Sequence, residues 1–332
     1  MAGVKALRKI QIGKESTKGT AVAATTIWRG MGTIQDDREV TFVEEDVGYI
    51  SGIDRTYIAK LGGSITFDEV PATFEQLCYI LEAGIIAETP AQDGAGSGYI
   101  YDYVFPTTAA NTIRTYTIEG GDNTQAEEME YAFVTGFTLS GKPNEAWTMS
   151  ADWVGRQVTN TSFTGSLTIP SVEELLFNKS KLYIDDTGGT IGTTQKTSTF
   201  LECTINVNTG LMPVQTGDGN LYFTFDKTVM PEITVDVTFE HDGTATAEKT
   251  NWRNQTARLL RVLVQGNALS SAGTTYTYKT AQFDFAGRWE TFEKIDEQDG
   301  NDIIKATLRS RYVVADTLFA EMLIVNELSS LT

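Results

Sequence analysis

The chain has 332 residues, of which 41% are apolar and 21% charged, a composition typical of a folded globular protein and not of a disordered one. Its 26 basic and 44 acidic residues give a formal net charge of -18, which argues against binding to a nucleic-acid backbone or to an anionic membrane, because both depend on basic side chains. One histidine and two cysteines exclude a multi-histidine zinc site and a disulfide framework.

An internal repeat organises the chain. Residues 9–20 and residues 181–190 share a pattern in which a lysine and an apolar strand precede a short polar turn and a Gly-Thr pair. Residues 64–68 and 232–236 form a second matching pair of alternating strands, and both matches are offset by about half the length of the chain. The repeat predicts two domains, residues 1–165 and 166–332, joined by a polar linker at about 159–172.

Each half contains one segment with helical periodicity. In the first half the apolar stripe is Phe74, Leu77, Cys78 and Leu81, and Thr73 and Gln76 have the spacing of a capping box. In the second half the equivalent stripe is Trp252, Thr256, Leu259, Leu260 and Leu263, with a predicted start near Thr250. We therefore expect one helix packed against a sheet in each half, with Cys78 in the core.

Most of the remaining periodicity is two. Residues 131–139, 147–153, 221–225 and 304–312 alternate between apolar and polar side chains. Alternation with one polar face is typical of antiparallel sheets that bury a single side. The predicted fold class is mainly β, with two tandem β-sandwich or barrel domains, each with one flanking α-helix.

No residue pattern indicates catalysis. Residues 136–142 match the start of a phosphate-binding loop, but Pro143 replaces the hydroxyl residue that such a loop requires, and the match lies in a predicted strand. The acidic runs at 44–46 and 127–130 are contiguous, whereas glycoside hydrolysis requires two carboxyl groups that face each other. We expect no catalytic, cofactor-binding or metal-binding residues and no enzyme activity.

Four segments resemble the tail tube proteins of long-tailed bacteriophages. They are residues 12–25, 120–123, 137–141 and 147–151. The resemblance implies a β-sandwich flanked by a helix, and a subunit that assembles with copies of itself into stacked rings around a channel for double-stranded DNA. In this family a single tube domain forms rings of six, and a duplicated domain forms pseudo-hexameric rings of three. The repeat resembles the second case; the alternative is a hexamer in which the second half is an outer decoration.

The same resemblance implies the surroundings of the protein. It places the chain in the virion, in a tail assembled in the bacterial host cytoplasm, with the tail terminator, tape measure and distal tail proteins as further partners. The DNA would pass through without specific binding, and no membrane, cofactor or small-molecule substrate is implied. Because an acidic wall repels the DNA backbone and lets it slide, we expect acidic side chains to line such a channel, and the candidates are Glu44, Asp46, Asp68, Glu127 and Glu128.

Two other functions remain open from the sequence. A carbohydrate-binding or host-adhesion β-sandwich module would stack sugars on tryptophans such as Trp147, Trp153, Trp252 and Trp289. A glycosidase would use an acidic pair within residues 127–130.

Overall fold

A computed structural model describes residues 2–331 of the protein, so the first residue of one predicted domain and the last residue of the other lie outside the described part. Strands account for 48% of the residues and helices for 8%. The expectation of a mainly β protein with large antiparallel sheets is therefore confirmed.

The elements follow one another in a similar order in the two halves. The first half contains β1 (Lys9–Lys14), β2 (Thr26–Trp28), β3 (Gln35–Asp36), β4 (Glu39–Phe42), β5 (Thr56–Lys60), β6 (Gly63–Pro71), α1 (Leu77–Gly84), β7 (Ala91–Gln92), β8 (Tyr99–Val104), β9 (Tyr116–Gly121), β10 (Ala126–Gly141), β11 (Thr148–Gly155) and β12 (Val158–Thr161). The second contains β13 (Ser180–Asp186), β14 (Gln195–Lys196), β15 (Phe200–Asn208), β16 (Leu211–Val214), β17 (Phe225–Thr228), β18 (Glu232–Glu240), α2 (Gly243–Arg253), β19 (Arg258–Ala268), β20 (Tyr278–Phe292), β21 (Asp296–Gln298), β22 (Asn301–Ser310) and β23 (Ala320–Asn326).

The long strand β10 connects the two sheets of the first half. Its start pairs with β9 and β12, and β9 continues through β1 to β2. Its end pairs with β11, which continues through β6 to β3. The strand changes sheet at a register shift between Met129 and Ala132, where Tyr131 has a φ of 54°. A bulge of this kind bends a strand and increases its twist, so one strand serves two sheets.

The second half repeats this pairing scheme. The start of β20 pairs with β19 and β23, and β19 continues through β13 to β14. The end of β20 pairs with β22, which continues through β18 to β15. All seven strand pairings of the first scheme thus have a counterpart in the second. The halves differ in their additional strands. In the first half β7 pairs with β8, and β8 pairs with β23 of the second half. In the second half β21 pairs with β22.

The two halves are joined by a strand pairing. The end of β10 pairs with β15, in a register that runs from Gly136 opposite Asn208 to Gly141 opposite Cys203. This pairing joins the sheets of the two halves into one antiparallel sheet of eight strands, in the order β3, β6, β11, β10, β15, β18, β22, β20.

The helix predicted in the first half is present as α1. The hydroxyl Oγ1 of Thr73 accepts a hydrogen bond from the backbone N–H of Gln76 at 3.1 Å, and all residues of α1 are buried. Cys78 and Cys203 are both buried as free thiols, and burial raises the pKa of each.

The helix predicted in the second half is wrong in its position. The structure has α2 at Gly243–Arg253, whereas Leu259, Leu260 and Leu263 lie in strand β19. Of the helix residues only Ala245 and Glu248 are buried, so α2 carries almost no apolar stripe. Its start is fixed instead by Asp242, whose side chain accepts a hydrogen bond from the N–H of Ala245 at 3.0 Å.

Each helix is anchored by one buried glutamate. Glu82 of α1 accepts hydrogen bonds from Lys14 Nζ at 2.7 Å and from Tyr116 Oη at 2.5 Å. Glu248 of α2 accepts from Arg258 Nη2 at 2.9 Å and from Trp289 Nε1 at 2.9 Å. Tyr116 and Arg258 are the first residues of β9 and β19, which hold the same place in the two pairing schemes.

The main hydrophobic core takes side chains from both halves of the chain. It extends from Ile10 in β1 to Leu331 near the C-terminus. The linker region predicted at about 159–172 contains the end of β12 and an irregular stretch that leads towards β13. The division into domains of residues 1–165 and 166–332 stays a prediction.

Candidate assembly surface

The eight-stranded sheet has one face that is buried and one that is polar. In β15, Cys203, Ile205 and Val207 are buried, whereas the residues between them are partly exposed polar side chains. The same alternation holds in β6, β11, β18 and β22. The polar face is thus the second face of the strands whose apolar face forms the core.

A row of side-chain hydrogen bonds crosses this polar face. Thr138 Oγ1 donates to Asn206 Oδ1 at 3.2 Å, and Asn206 Nδ2 donates to Asp236 Oδ2 at 3.1 Å. Thr307 Oγ1 donates to Asp236 Oδ1 at 2.6 Å. The row connects β10, β15, β18 and β22, so it passes over the junction between the halves. Cross-strand polar pairs of this kind stabilise the register of a sheet.

Acidic side chains predominate on the polar face. Its carboxylates include Asp68, Glu69, Asp152, Glu202, Glu232, Asp236 and Glu290, and the cations of its strands are Arg288, Lys305 and Arg309. One cation is paired, because Arg309 Nε donates to Glu290 Oε2 at 2.9 Å, a contact that raises the pKa of the guanidinium. A shallow depression of about 330 Å³ lies in the middle of the face, lined by residues that include Thr138, Asn206 and Arg309.

The five acidic residues predicted for a channel fall on three different parts of the molecule. Asp68 lies on the polar face, on β6. Glu44 and Asp46 are exposed in the segment that connects β4 and β5. Glu127 and Glu128 lie on the start of β10, which pairs with β9 and β12 and not with the eight-stranded sheet. The structure therefore brings none of the other four together with Asp68.

Sequence reasoning missed most acidic residues of the polar face. Asp152 and Asp236 each lie on a strand between buried apolar neighbours, Glu290 follows the buried Trp289, and none of the three belongs to an acidic run. The available signal was the alternation itself, since a strand with a buried apolar face exposes every second residue on one common surface.

Both outer edges of the eight-stranded sheet lack a strand partner within the described residues. β3 pairs with β6 on one side only. At the other edge, residues 288–292 of β20 pair with β22 on one side. On the opposite side, the only hydrogen bonds found along the described chain are accepted by two carbonyl groups. The carbonyl oxygen of Trp289 accepts from Gln255 Nε2 at 3.4 Å, and that of Glu290 accepts from Trp252 Nε1 at 3.1 Å. Open edges of this kind are templates for pairing with another chain.

The four tryptophans that a sugar-binding module would use are buried or half-buried. Trp147, Trp153 and Trp289 lie in the core, where a sugar cannot reach them, and the half-buried Trp252 packs against Phe292. No group of three or more metal-ligating side chains occurs among residues 2–331. Neither of the two helices in that range combines the length and the apolar character that a membrane crossing requires.

No model of a known protein family matches the sequence, and no curated protein is significantly similar to it.

Proposed function

We propose that the protein is a structural subunit whose copies join edge to edge into rings of three, which stack into a tube that conducts double-stranded DNA. This is the role that the resemblance to bacteriophage tail tube proteins implies, with the virion as its location. The proposal includes no enzymatic activity and no cofactor.

The observation that carries the proposal is the pairing of β10 with β15. Within one chain, the end of the long strand of the first half pairs with the edge strand of the second half. The end of β20, the long strand of the second half, has no strand partner among the described residues on the side that β10 uses to pair with β15. In the first half, β3 holds the place that β15 holds in the second. A heterologous contact between these edges, repeated from copy to copy, generates a closed ring if the rotation closes.

The width of such a ring supports three copies. Eight strands from each of three chains make a barrel of 24 strands. With strands about 4.8 Å apart and tilted by about 40°, the opposite backbones are about 48 Å apart. Two layers of side chains of about 5 Å each leave an opening of about 38 Å, because packed sheets lie about 10 Å apart. Two copies would leave only about 22 Å by the same estimate, too little for a hydrated double helix.

The charge of the polar face supports a passage for DNA that does not bind it. Because the apolar face of the sheet packs into the protein core, the polar face is the one that would line the inside of the ring. DNA binding proteins hold phosphates with Lys and Arg, and the strands of this face carry mainly Asp and Glu. An acidic wall repels the backbone, so the DNA can slide through.

Electron microscopy of the purified and concentrated protein tests the proposal. We expect rings or tubes with a central hole, and a mass in light scattering of three chains of 36.4 kDa each for the smallest closed ring. Rings of six chains would overturn the arrangement of three copies. A protein that stays monomeric at every concentration, and in lysates that contain assembled tails, would overturn the proposal as a whole.

A further inference from the structure

The second half of the chain contacts the first through a hairpin. Strands β16 and β17 form this hairpin, which follows the edge strand β15 and precedes β18. Leu211 of the hairpin and Phe223 beside it are buried against Ile113, Tyr131 and Phe133 of the first half. The rings of Tyr131 and Phe223 lie 5.0 Å apart between their centroids. The hairpin is thus docked in an apolar site at the junction of the halves.

Polar contacts hold the same hairpin. Lys18 Nζ contacts Asp226 Oδ1 at 2.5 Å, and Tyr131 Oη donates to the same carboxylate oxygen at 2.9 Å. Arg156, which directly follows β11, donates from Nη2 to the carbonyl oxygen of Thr224 at 3.2 Å. The docked hairpin therefore presents a carboxylate and apolar side chains to a site that contains cations and apolar side chains.

The first half has a hairpin in the equivalent place, and its large apolar side chains are exposed. Strands β4 and β5 follow the edge strand β3 and precede β6. Phe42 is 75% exposed and Tyr49 is 76% exposed, and Tyr57 is also exposed. The ion pairs found on the hairpin, Arg55 with Glu45 and Lys60 with Glu39, are internal to it. Large apolar side chains grouped on one exposed hairpin indicate a surface that another protein covers.

An open groove lies at the corresponding place of the second half, where a segment of the first half also lines it. A groove of about 560 Å³ is lined by residues 106–110, residues 228–231, Arg311, Tyr312 and Phe319. Residues 229–231 directly precede β18, as residues 61–62 directly precede β6. In the first half this segment contacts the docked hairpin, because the N–H of Leu61 donates to the carbonyl oxygen of Leu221 at 2.8 Å. Arg311 directly follows β22, as Arg156 follows β11.

We propose that the β4–β5 hairpin of one copy docks in this groove of the neighbouring copy. The occupant is a second copy of this chain, because the contact repeats between chains the one that β16–β17 makes within a chain. Charge is complementary, since the hairpin carries Glu44 and Asp46 next to its apolar residues and the groove carries Arg311. Met230 at the groove is 68% exposed and is available for contact. The inference rests on the proposed ring, which it extends by a second interface beside the strand edges.

Photo-crosslinking from the hairpin tests this contact. In Phe42→Cys the new thiol is the only exposed one, because Cys78 and Cys203 are buried, so a thiol-reactive benzophenone labels it selectively. In assembled rings of mixed isotope labelling, we expect crosslinks between chains that end in residues 106–110, 228–231 or 311–319. The matched control is Ile169→Cys, an exposed position in the linker, which should give none of these crosslinks.

The outcomes separate this inference from the proposed function. Rings whose hairpin crosslinks to another surface, or only within its own chain, overturn the docking contact and leave the ring intact. If no rings form, the proposed function itself fails, and the docking contact with it.

A charge placed on the hairpin gives an independent measurement. Phe42→Asp should raise the protein concentration of half-maximal assembly by about tenfold, because the carboxylate would be desolvated in the groove. Ile169→Asp should leave that concentration unchanged, and circular dichroism of the unassembled variants verifies that both fold. Assembly of Phe42→Asp at the concentration of the unmodified protein would overturn the contact.

Discussion

Glu248 is the charged side chain on which the packing of α2 most depends. It is 2% exposed and accepts two hydrogen bonds from the guanidinium of Arg258 and one from the indole of Trp289. Arg258 also contacts the exposed carboxylate of Asp186, but removing Glu248 takes away the buried counter-charge of the guanidinium in a medium that solvates it poorly. Glu248→Ala should therefore lower the free energy of unfolding by about 3 to 5 kcal/mol, measured by urea denaturation.

A neighbouring substitution provides the control for that measurement. Lys249→Ala changes the next residue of α2, which is partly exposed, and should alter the free energy of unfolding by no more than about 0.5 kcal/mol. If Glu248→Ala were as mild as Lys249→Ala, the buried pair would not be what holds the helix against β19 and β20.

The carboxyl group of Glu321 makes the stability of the second half dependent on pH. Burial, together with the nearby carboxylates of Asp102 and Asp284, raises the pKa of Glu321 from 4.5 to about 7. The guanidinium of Arg261, which acts to lower this pKa, is engaged by Asp284, with Nε at 2.7 Å and Nη2 at 2.6 Å from the carboxylate oxygens. The folded state therefore holds a proton that the unfolded chain has lost, and the resulting stabilisation disappears as the pH rises from 4.5 to about 7.

Replacing Glu321 by glutamine should remove this dependence. Glu321→Gln keeps a hydrogen-bond donor towards Asp102 without a charge, so its midpoint of thermal unfolding should exceed that of the unmodified protein at pH 8 and match it near pH 4.5. Glu297→Gln, at an exposed position of β21, should change neither value. An equal shift at both pH values would show that Glu321 acts through packing and not through its proton.

The elements show where sequence patterns were sufficient and where they were not. The stripe at Phe74 to Leu81 predicted α1 correctly, because that helix is buried and apolar residues mark its face. The polar helix α2 has no such stripe, so the apolar run at Leu259 and Leu260 was assigned to it instead. That run is a strand buried between β13 and β20, and short apolar runs do not distinguish a buried strand from a helix.

The acidic face was predictable only in part, for a related physical reason. Asp68 was among the predicted residues, but its companions on the face come from strands far apart in the chain, such as those of Asp152, Asp236 and Glu290. Which strands lie side by side is decided by pairing over long separations, and a single sequence shows only the period of each strand. The runs at Glu44 and Glu127 were conspicuous in sequence, yet they lie on other surfaces.

At the scale of the whole molecule, the match of residues 64–68 with residues 232–236 defines an equivalence between the two edges. Gln35 lies opposite Ser64 as Asn208 lies opposite Glu232, so Asp36 is equivalent to Thr209. The backbone N–H of Thr209 donates to the carbonyl oxygen of Thr135 at 3.0 Å across the junction of the halves. The N–H of Asp37 donates to the carbonyl oxygen of Gly62, the residue directly before β6. Because successive N–H groups of a strand point to opposite sides, the N–H of Asp36 points to the open edge.

Asp36→Pro removes this one donor from the open edge. Asp36 is exposed, so the unassembled chain should keep its fold, whereas pairing with β20 of the next copy loses a backbone hydrogen bond and meets the proline ring. We expect Asp36→Pro to abolish rings in electron microscopy while its circular dichroism stays unchanged. Asp36→Ala removes the carboxylate and keeps the N–H, so it should assemble normally. Rings of Asp36→Pro as abundant as those of Asp36→Ala would show that the edge of β3 takes no part in closing the ring.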